Sequence, residues 1–385
     1  MYEIGKREVE AVRKVIESSK LFRYERGRDA KETGRFQRAL AKKLGVRHAL
    51  AMTSGTASLI CALTGLGIGP GDEVIVPGYT FIASALGVTA VGAVPIIAEV
   101  DDSLTIDPAD VEAKITRHTK AVMPVHMMGH PCDMDAIMKI ARRREVKVVE
   151  DACQADGGSY KGRRLGSIGD VGVLSFNFYK IISCGEAGAV VTDDKGVYHR
   201  ALIQHDGGNP FFMRETVPPE EVFAGLNFRI SEIHAAVLNA QLSRLDGILG
   251  RLRRRRQALV EELSGAEAFQ VSPNNDPEGD CGVGVAIQFP TEDEADAFVR
   301  ANRRHMGMYR VINTGRHVYS NWEAIMNQRA HHEKMSPWRL AGRKIRYSKD
   351  MCPRTLDILK RSVMLLTPLE ATVRDVRRAA RAMCR

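Results

Sequence analysis

Between residues 50 and 195 the chain repeats one pattern: a short, continuously apolar run, then a stretch with helical spacing. "EVIVP" (73–77), "AVPIIAEV" (93–100), "AVMPVHMMG" (121–129), "VKVVEDA" (146–152), "VGVLSF" (171–176) and "GAVVTDD" (188–194) have the length of strands. Their apolar character is too continuous for one wet face, so they belong in a mainly parallel sheet covered on both sides. Between them, "GTASLICALTGLG", "FIASALGVTAVG", "DPADVEAKI" and "DMDAIMKIARRR" carry helical spacing, with Asp107 and Asp133 where N-caps fall. The alternation predicts a doubly wound α/β layer.

A longer helical pattern, about 231–264, starts at the cap-like Ser231. The composition then changes: "PNNDPEGD" (273–280) reads as a loop, and "GVAIQFP" (284–290) as a strand opening a smaller α+β unit. The helices of that unit are "TEDEADAFVRANRRHMG" and "TVRDVRRAARAM" (372–383). The 385 residues therefore divide into a large domain, 1–264, which includes an N-terminal helical segment, and a small C-terminal domain, 265–385. Residues 315–350 are irregular and dense in His, Trp, Arg and Tyr.

Composition excludes several classes. No apolar run is long enough to span a bilayer, and "MYEIGKREVEAVRKVIESSK" lacks the layout of a signal peptide, so a cytoplasmic protein without a membrane partner is expected. Seven scattered cysteines with no CxxC pair give neither a disulfide framework nor a zinc site. His331 and His332 are adjacent and lack the one-face spacing of a helical metal pair, so no metal is expected. Part of the net charge of +9 sits in "GRLRRRRQ" (250–257) and "ARRRE" (141–145), within helical patterns where such runs are usually a solvated face. With no aromatic interleaving and no DNA-binding motif, no nucleic-acid partner is expected.

Ligands of open α/β sheets sit outside the carboxyl ends of the strands. Four features fall there: "TSGT" (53–56), "PGYTF" (77–81), "EDACQ" (150–154) and "SFNFYK" (175–180). "TSGT" opens a helix whose free N–H groups and dipole suit a phosphate, although an ordinary N-cap looks the same. "EDACQ" puts two carboxylates at a buried strand end, where at least one needs a partner. Lys180 alone reads most simply as a solvated strand-end lysine. Together, a phosphate cradle, a carboxylate and a lysine are what pyridoxal phosphate requires.

At this point the chain resembles the DegT/StrS-type aminotransferases, pyridoxal-phosphate enzymes that act on keto sugars and cyclitols. The resemblance is carried by "TSGTASL", "GDEVIVPGYTFIASALGVTAVGAVPIIAEVD", "PVHMMGHPCDMDAI", "VVEDACQADGGSYKGRRLGSIGDVGVLSFNFYK", "GEAGAVVTDD" and "GLNFRISEIHAAVLNAQL". It implies fold type I: a large domain with a seven-stranded, mainly parallel sheet, and a smaller α+β domain. It also implies that Lys180 is the catalytic residue and holds the cofactor as a Schiff base. By the same resemblance Asp151 pairs with the pyridinium nitrogen, Phe81 lies on the ring and Gln154 bonds the phenolic oxygen. Gly55, Thr56 and Ser175 hold the phosphate, and Asn227 reaches it from the neighbouring subunit of a homodimer.

The implied activity moves an amino group from L-glutamate or L-glutamine, by way of pyridoxamine 5'-phosphate, to a keto sugar or keto cyclitol. A nucleotide-linked sugar is the favoured acceptor, in amino-sugar biosynthesis. Two alternatives stand beside it. Pyridoxamine-phosphate sugar dehydratases of this fold carry His where this chain has Lys180. A cofactor-holding regulatory protein would bind nucleic acid through Arg253 to Arg256. The chain departs from the family in "GEAG", where Ala187 replaces a usual Gly, and in its long basic 315–350 segment. From that segment His317, Tyr319, Trp322, His331, His332 and Arg346 are the candidate substrate contacts.

Overall fold

The computed structural model describes residues 3–26, 28–208, 219–367 and 369–384. Seven strands form the large sheet: β1 (His48–Met52), β2 (Glu73–Pro77), β3 (Val94–Ala98), β4 (Thr119–Val122), β5 (Lys147–Asp151), β6 (Val171–Ser175) and β7 (Gly188–Thr192). Their order is β1-β7-β6-β5-β4-β2-β3. The pairs from β6 through β3 are parallel, and β7 runs antiparallel to both of its neighbours. Six of these strands are the apolar runs of the sequence. β1 is the one that pattern misses, because "HALAM" has no β-branched residue and two alanines, which strands disfavour.

Both faces of the sheet are covered. Successive side chains point to opposite sides. Val74, Val76 and Val190 enter one core with Leu59 and Leu63 of α1 (Gly55–Gly65) and Val88 of α2 (Ala83–Ala90). Ile75, Ala189 and Val191 enter the other, with Ile137 and Ile140 of the helix Met134–Arg144. The expected caps are present: Asp107 accepts from the Ala109 N–H, and Asp133 from the Ala136 N–H.

The pattern at 231–264 is two helices, Glu232–Leu242 and Leu245–Leu263. The chain turns at Ser243–Arg244, where the Arg244 guanidinium holds the Glu8 carboxylate and the Glu3 carbonyl. The second helix then joins two cores, with Leu245, Leu249 and Leu252 under the large sheet and Leu259 and Leu263 under a second sheet. That sheet is antiparallel: β8 (Gln270–Val271), β9 (Gly284–Gln288), β10 (Met308–Arg310) and β11 (Ser362–Leu366), in the order β8-β9-β11-β10.

The arginine run is not the solvated face that its helical pattern suggested. Arg255 and Arg256 are buried. Arg253 donates to the carbonyls of Asp280 and Gly279, Arg255 to those of Ala371 and Leu369, and Arg256 faces the Asp280 carboxylate. These guanidinium groups tie the long helix to the loops at 279–280 and 369–371, while Arg254 between them is exposed. Among the described residues, no helix is long and apolar enough to cross a membrane.

The 315–350 segment is a strap across the large sheet. Val318 bridges Tyr79, the Thr80 N–H donates to the His317 carbonyl at 2.9 Å, and the Tyr319 N–H donates to the Gly78 carbonyl at 3.0 Å. Further along, Arg343 pairs with the buried Glu73 of β2 at 2.5 Å, and the Tyr347 hydroxyl donates to the Pro95 carbonyl of β3 at 2.7 Å. Because β3 is an edge strand, this strap covers backbone that otherwise invites pairing with another chain.

Candidate active site

A cavity of about 710 Å³ opens at the carboxyl ends of β5 and β6. Gly55, Thr56, Phe81, Asp151, Gln154, Ser175 and Lys180 all line it, although they come from four separate stretches of sequence.

Strand alternation separates the two carboxylates of "EDACQ". Glu150 points away and is fully buried. Its carboxylate takes the N–H groups of Gly166, Ile168 and Gly169 and lies 3.1 Å from His126 Nε2. Asp151 points into the cavity while remaining 4% exposed. Its Oδ1 accepts from the Cys153 N–H at 3.1 Å and its Oδ2 from the Ser84 hydroxyl at 2.8 Å, and Ser84 Oγ is in turn 2.8 Å from Thr80 Oγ1. A carboxylate held this way keeps lone pairs for one further donor, such as a protonated ring nitrogen.

At the start of α1 the Ser54 side chain caps the Ala57 N–H, and the Ser54 carbonyl takes the Ser58 N–H. That leaves the N–H groups of Gly55 and Thr56 for a ligand, at the positive end of the helix. Gly55 sits so close to β6 that a Cβ would lie 2.9 Å from Ser175 Cβ and 3.1 Å from Cys153 Sγ. Helix N-terminus and Ser175 hydroxyl therefore meet at one anion-sized cradle. The Gln154 Oε1 accepts from the Met128 N–H at 3.2 Å, which leaves its amide NH2 as a donor.

Lys180 follows a compact turn in which its N–H bonds the Asn177 carbonyl at 3.0 Å. The Asn177 amide donates to Glu186 at 2.8 Å, tying this turn to "GEAG". There Gly185 takes the left-handed backbone, φ +94°, while Ala187 is buried in the core under the sheet. The Cβ that departs from the family's usual Gly thus has a place to pack.

The remaining candidates separate. His317 lines the cavity, its ring 5.3 Å from that of Phe81, with Nδ1 3.2 Å from the Thr314 carbonyl. Burial, and then the positive charges of Lys180 and Arg316, hold its pKa below the ordinary histidine value. Tyr319 and Trp322 are wholly buried outside the lining, the Tyr319 hydroxyl donating to the Lys349 carbonyl and the Trp322 indole N–H to the Arg316 carbonyl. His331, His332 and Arg346 are exposed along the strap, also outside the lining. Asn227 is exposed beside the Asp206 bridge and accepts from the Arg229 N–H.

Sequence reasoning missed Ser84, Cys153 and Arg316, which also line the cavity. Ser84 stands in the first turn of the helix Ala83–Ala90, and Thr80, which precedes that helix, brings its hydroxyl to within 2.8 Å of it. A second hollow of about 810 Å³ lies between Arg304 and the last helix. Its Arg377 and Arg381 already pair with Glu261 and Glu262, and none of the candidates is there. Among the described residues, no group of three or more His, Cys, Asp or Glu side chains is placed to hold a metal.

A seven-stranded sheet with one antiparallel strand, a lysine after β6 and an aspartate at the end of β5 define the type I fold of pyridoxal-phosphate enzymes. The chain belongs to the DegT/DnrJ/EryC1/StrS aminotransferase family, whose profile matches residues 2–339. It is 44% identical over 212 residues to the GDP-perosamine synthase of Caulobacter vibrioides, covering 55% of this chain and 56% of that one. To the L-glutamine:scyllo-inosose aminotransferase of Streptomyces griseus it is 41% identical over 246 residues, covering 62% and 58%. The matched region thus spans little more than half the length of these relatives. In structure it superposes on a 3-amino-5-hydroxybenzoic acid synthase with a TM-score of 0.83 at 29% identity, covering 100% of this chain and 97% of that one.

Proposed function

We propose that this protein is a pyridoxal-phosphate-dependent aminotransferase that passes an amino group from L-glutamate or L-glutamine to a keto sugar or keto cyclitol. The carrying observation is that Lys180, Asp151 and the Gly55–Ser175 cradle line one cavity. The three relatives named above make a nucleotide-linked amino sugar, an aminated cyclitol and an aromatic amine by name, which supports a ring ketone as the acceptor.

Bound pyridoxal phosphate supplies the electron sink, and its pyridoxamine form carries the amino group between the two halves of the reaction. The N–H groups of Gly55 and Thr56 and the Ser175 hydroxyl would hold its phosphate. Asp151, fixed by Ser84 and the Cys153 N–H, would keep the ring nitrogen protonated. Gln154 would donate to the phenolic oxygen, and Phe81 would cover one ring face and exclude water. Lys180 would bind the carbonyl carbon in the resting enzyme and, when released, move a proton at the substrate carbon. We read residues 1–264 and 265–385 as large and small domains. We further read the enzyme as a homodimer with shared sites, the exposed Asn227 serving the partner's phosphate.

The test is the visible spectrum of the purified protein with pyridoxal phosphate, before and after either donor. A band that donor bleaches, and that Lys180→Ala lacks, supports the proposal. Failure of the wild type to form any band sinks it. Donor labelled with ¹⁵N then separates transfer, which puts the label in the product, from dehydration, which does not.

A further inference from the structure

We infer that Arg316 recognises an oxyanion of the substrate, a carboxylate or a diphosphate, and that Trp322 positions it; the inference rests on the aminotransferase reading above. The Arg316 guanidinium lies over the Phe81 ring, 5.3 Å from its centroid, in the lining of the cavity that contains Lys180. Many arginines of this part of the chain are paired: Arg310 with Asp296, Arg343 with Glu73, Arg354 with Asp107. Among the described residues Arg316 has no such carboxylate, and a guanidinium left without one beside a cavity matches the planar, two-oxygen edge of a carboxylate or phosphate.

The backbone that carries it is fixed. The Arg316 carbonyl accepts from the Ile82 N–H at 2.9 Å and from the Trp322 indole N–H at 2.8 Å, and Asn321 donates to the neighbouring Gly315 carbonyl at 3.0 Å. Trp322 is 0% exposed, so a large buried ring has its one polar atom satisfied by this carbonyl alone. Such a mount lowers the ordering cost that a mobile loop otherwise adds to binding. The adjacent His317, its pKa lowered by burial and by the positive charges of Lys180 and Arg316, turns Nδ1 toward the Thr314 carbonyl.

Both substrates of the proposed reaction present the right chemistry, the donor through its carboxylates and a nucleotide-linked acceptor through its diphosphate. Two titrations of the pyridoxal-phosphate-loaded enzyme separate them. In one, L-glutamate and L-glutamine are added while the cofactor band is followed. In the other, GDP and dTDP are titrated calorimetrically. Wild type is compared with Arg316→Gln, Arg316→Lys and Trp322→Phe. Because the Arg316 side chain is exposed, Arg316→Gln should keep the wild-type melting temperature and cofactor band.

In Arg316→Gln one of the two titrations should weaken by about 10- to 100-fold, the size of one lost charge-assisted contact. Arg316→Lys should restore part of the loss, and Trp322→Phe should weaken the same titration by a smaller factor. A shift with the amino acids assigns the oxyanion to the donor; a shift with the nucleotides assigns it to the acceptor. Unchanged midpoints in both overturn the inference. If the wild-type band ignores both donors, the aminotransferase reading fails instead, and the nucleotide titration alone decides the role of Arg316.

Discussion

The Ser84 hydroxyl donates to Oδ2 of Asp151 at 2.8 Å, and both groups are almost wholly buried. A hydrogen bond to a buried carboxylate contributes about 1.5–3 kcal/mol, more than a bond between neutral groups. It also fixes which lone pairs of Asp151 remain for a ring nitrogen. Ser84→Ala should therefore weaken pyridoxal-phosphate binding by about tenfold or more and lower kcat. Equilibrium dialysis against free cofactor measures the first and steady-state kinetics the second. Unaltered cofactor affinity would remove Ser84 from the site.

Gly55→Ala tests the phosphate cradle. The new Cβ would press on Ser175 Cβ at 2.9 Å and Cys153 Sγ at 3.1 Å. Overpacking of this kind costs about 1–3 kcal/mol. The protein without cofactor should melt a few degrees lower, and its affinity for the cofactor, or for inorganic phosphate as a probe, should fall.

His317 sets an acid limit. Its pKa is lowered, first by burial and then by Lys180 and Arg316, so the folded protein binds fewer protons than the unfolded chain just below the ordinary value of about 6.5. Stability from this group is complete above that value and declines as pH falls through the window beneath it. NMR titration should place the His317 midpoint below 6.5, and His317→Gln should flatten this part of the stability curve. A midpoint at or above the ordinary value contradicts the prediction.

Arg343→Ala tests the strap. Glu73 is 1% exposed and would keep Thr116 Oγ1 at 2.8 Å while losing its ionic partner. Since Arg343 itself is substantially exposed, solvent weakens the pair, and a loss of about 1 kcal/mol is expected. Thermal melting measures it. Turnover should stay at the wild-type level, because Glu73 is the first residue of β2, at the amino end of the strand, and neither partner lines the cavity at the carboxyl ends.

Much of the architecture was legible because buried parallel strands have a direct signature. Val74, Ile75 and Val76 are all apolar because alternate residues feed opposite cores, and the same holds for β7. The Ala-rich β1 lacked that signature. For the site, strand-end logic brought Asp151 and Lys180 forward, and a family resemblance supplied their roles. The arginines of 253–256 were illegible in kind, because a helical charge run looks identical whether it meets water or the carbonyls of Gly279 and Ala371. Tyr319 and Trp322 look like ligand contacts for the same reason: a sequence does not say which buried carbonyl an aromatic donor will find. Their neighbour Arg316 stood unremarked between them and the Phe81 that it covers.

The main-chain pairing of residues 78–82 with 316–319 has an evolutionary consequence. Each bond there, from the Thr80 N–H to the His317 carbonyl and from the Ile82 N–H to the Arg316 carbonyl, survives any exchange of side chain at 316 or 317. The wall of the cavity can thus change its chemistry in single mutational steps without moving. A lineage built on this scaffold has two adjacent positions free to vary with the ketone it meets, while lysine, aspartate and cradle stay where they are.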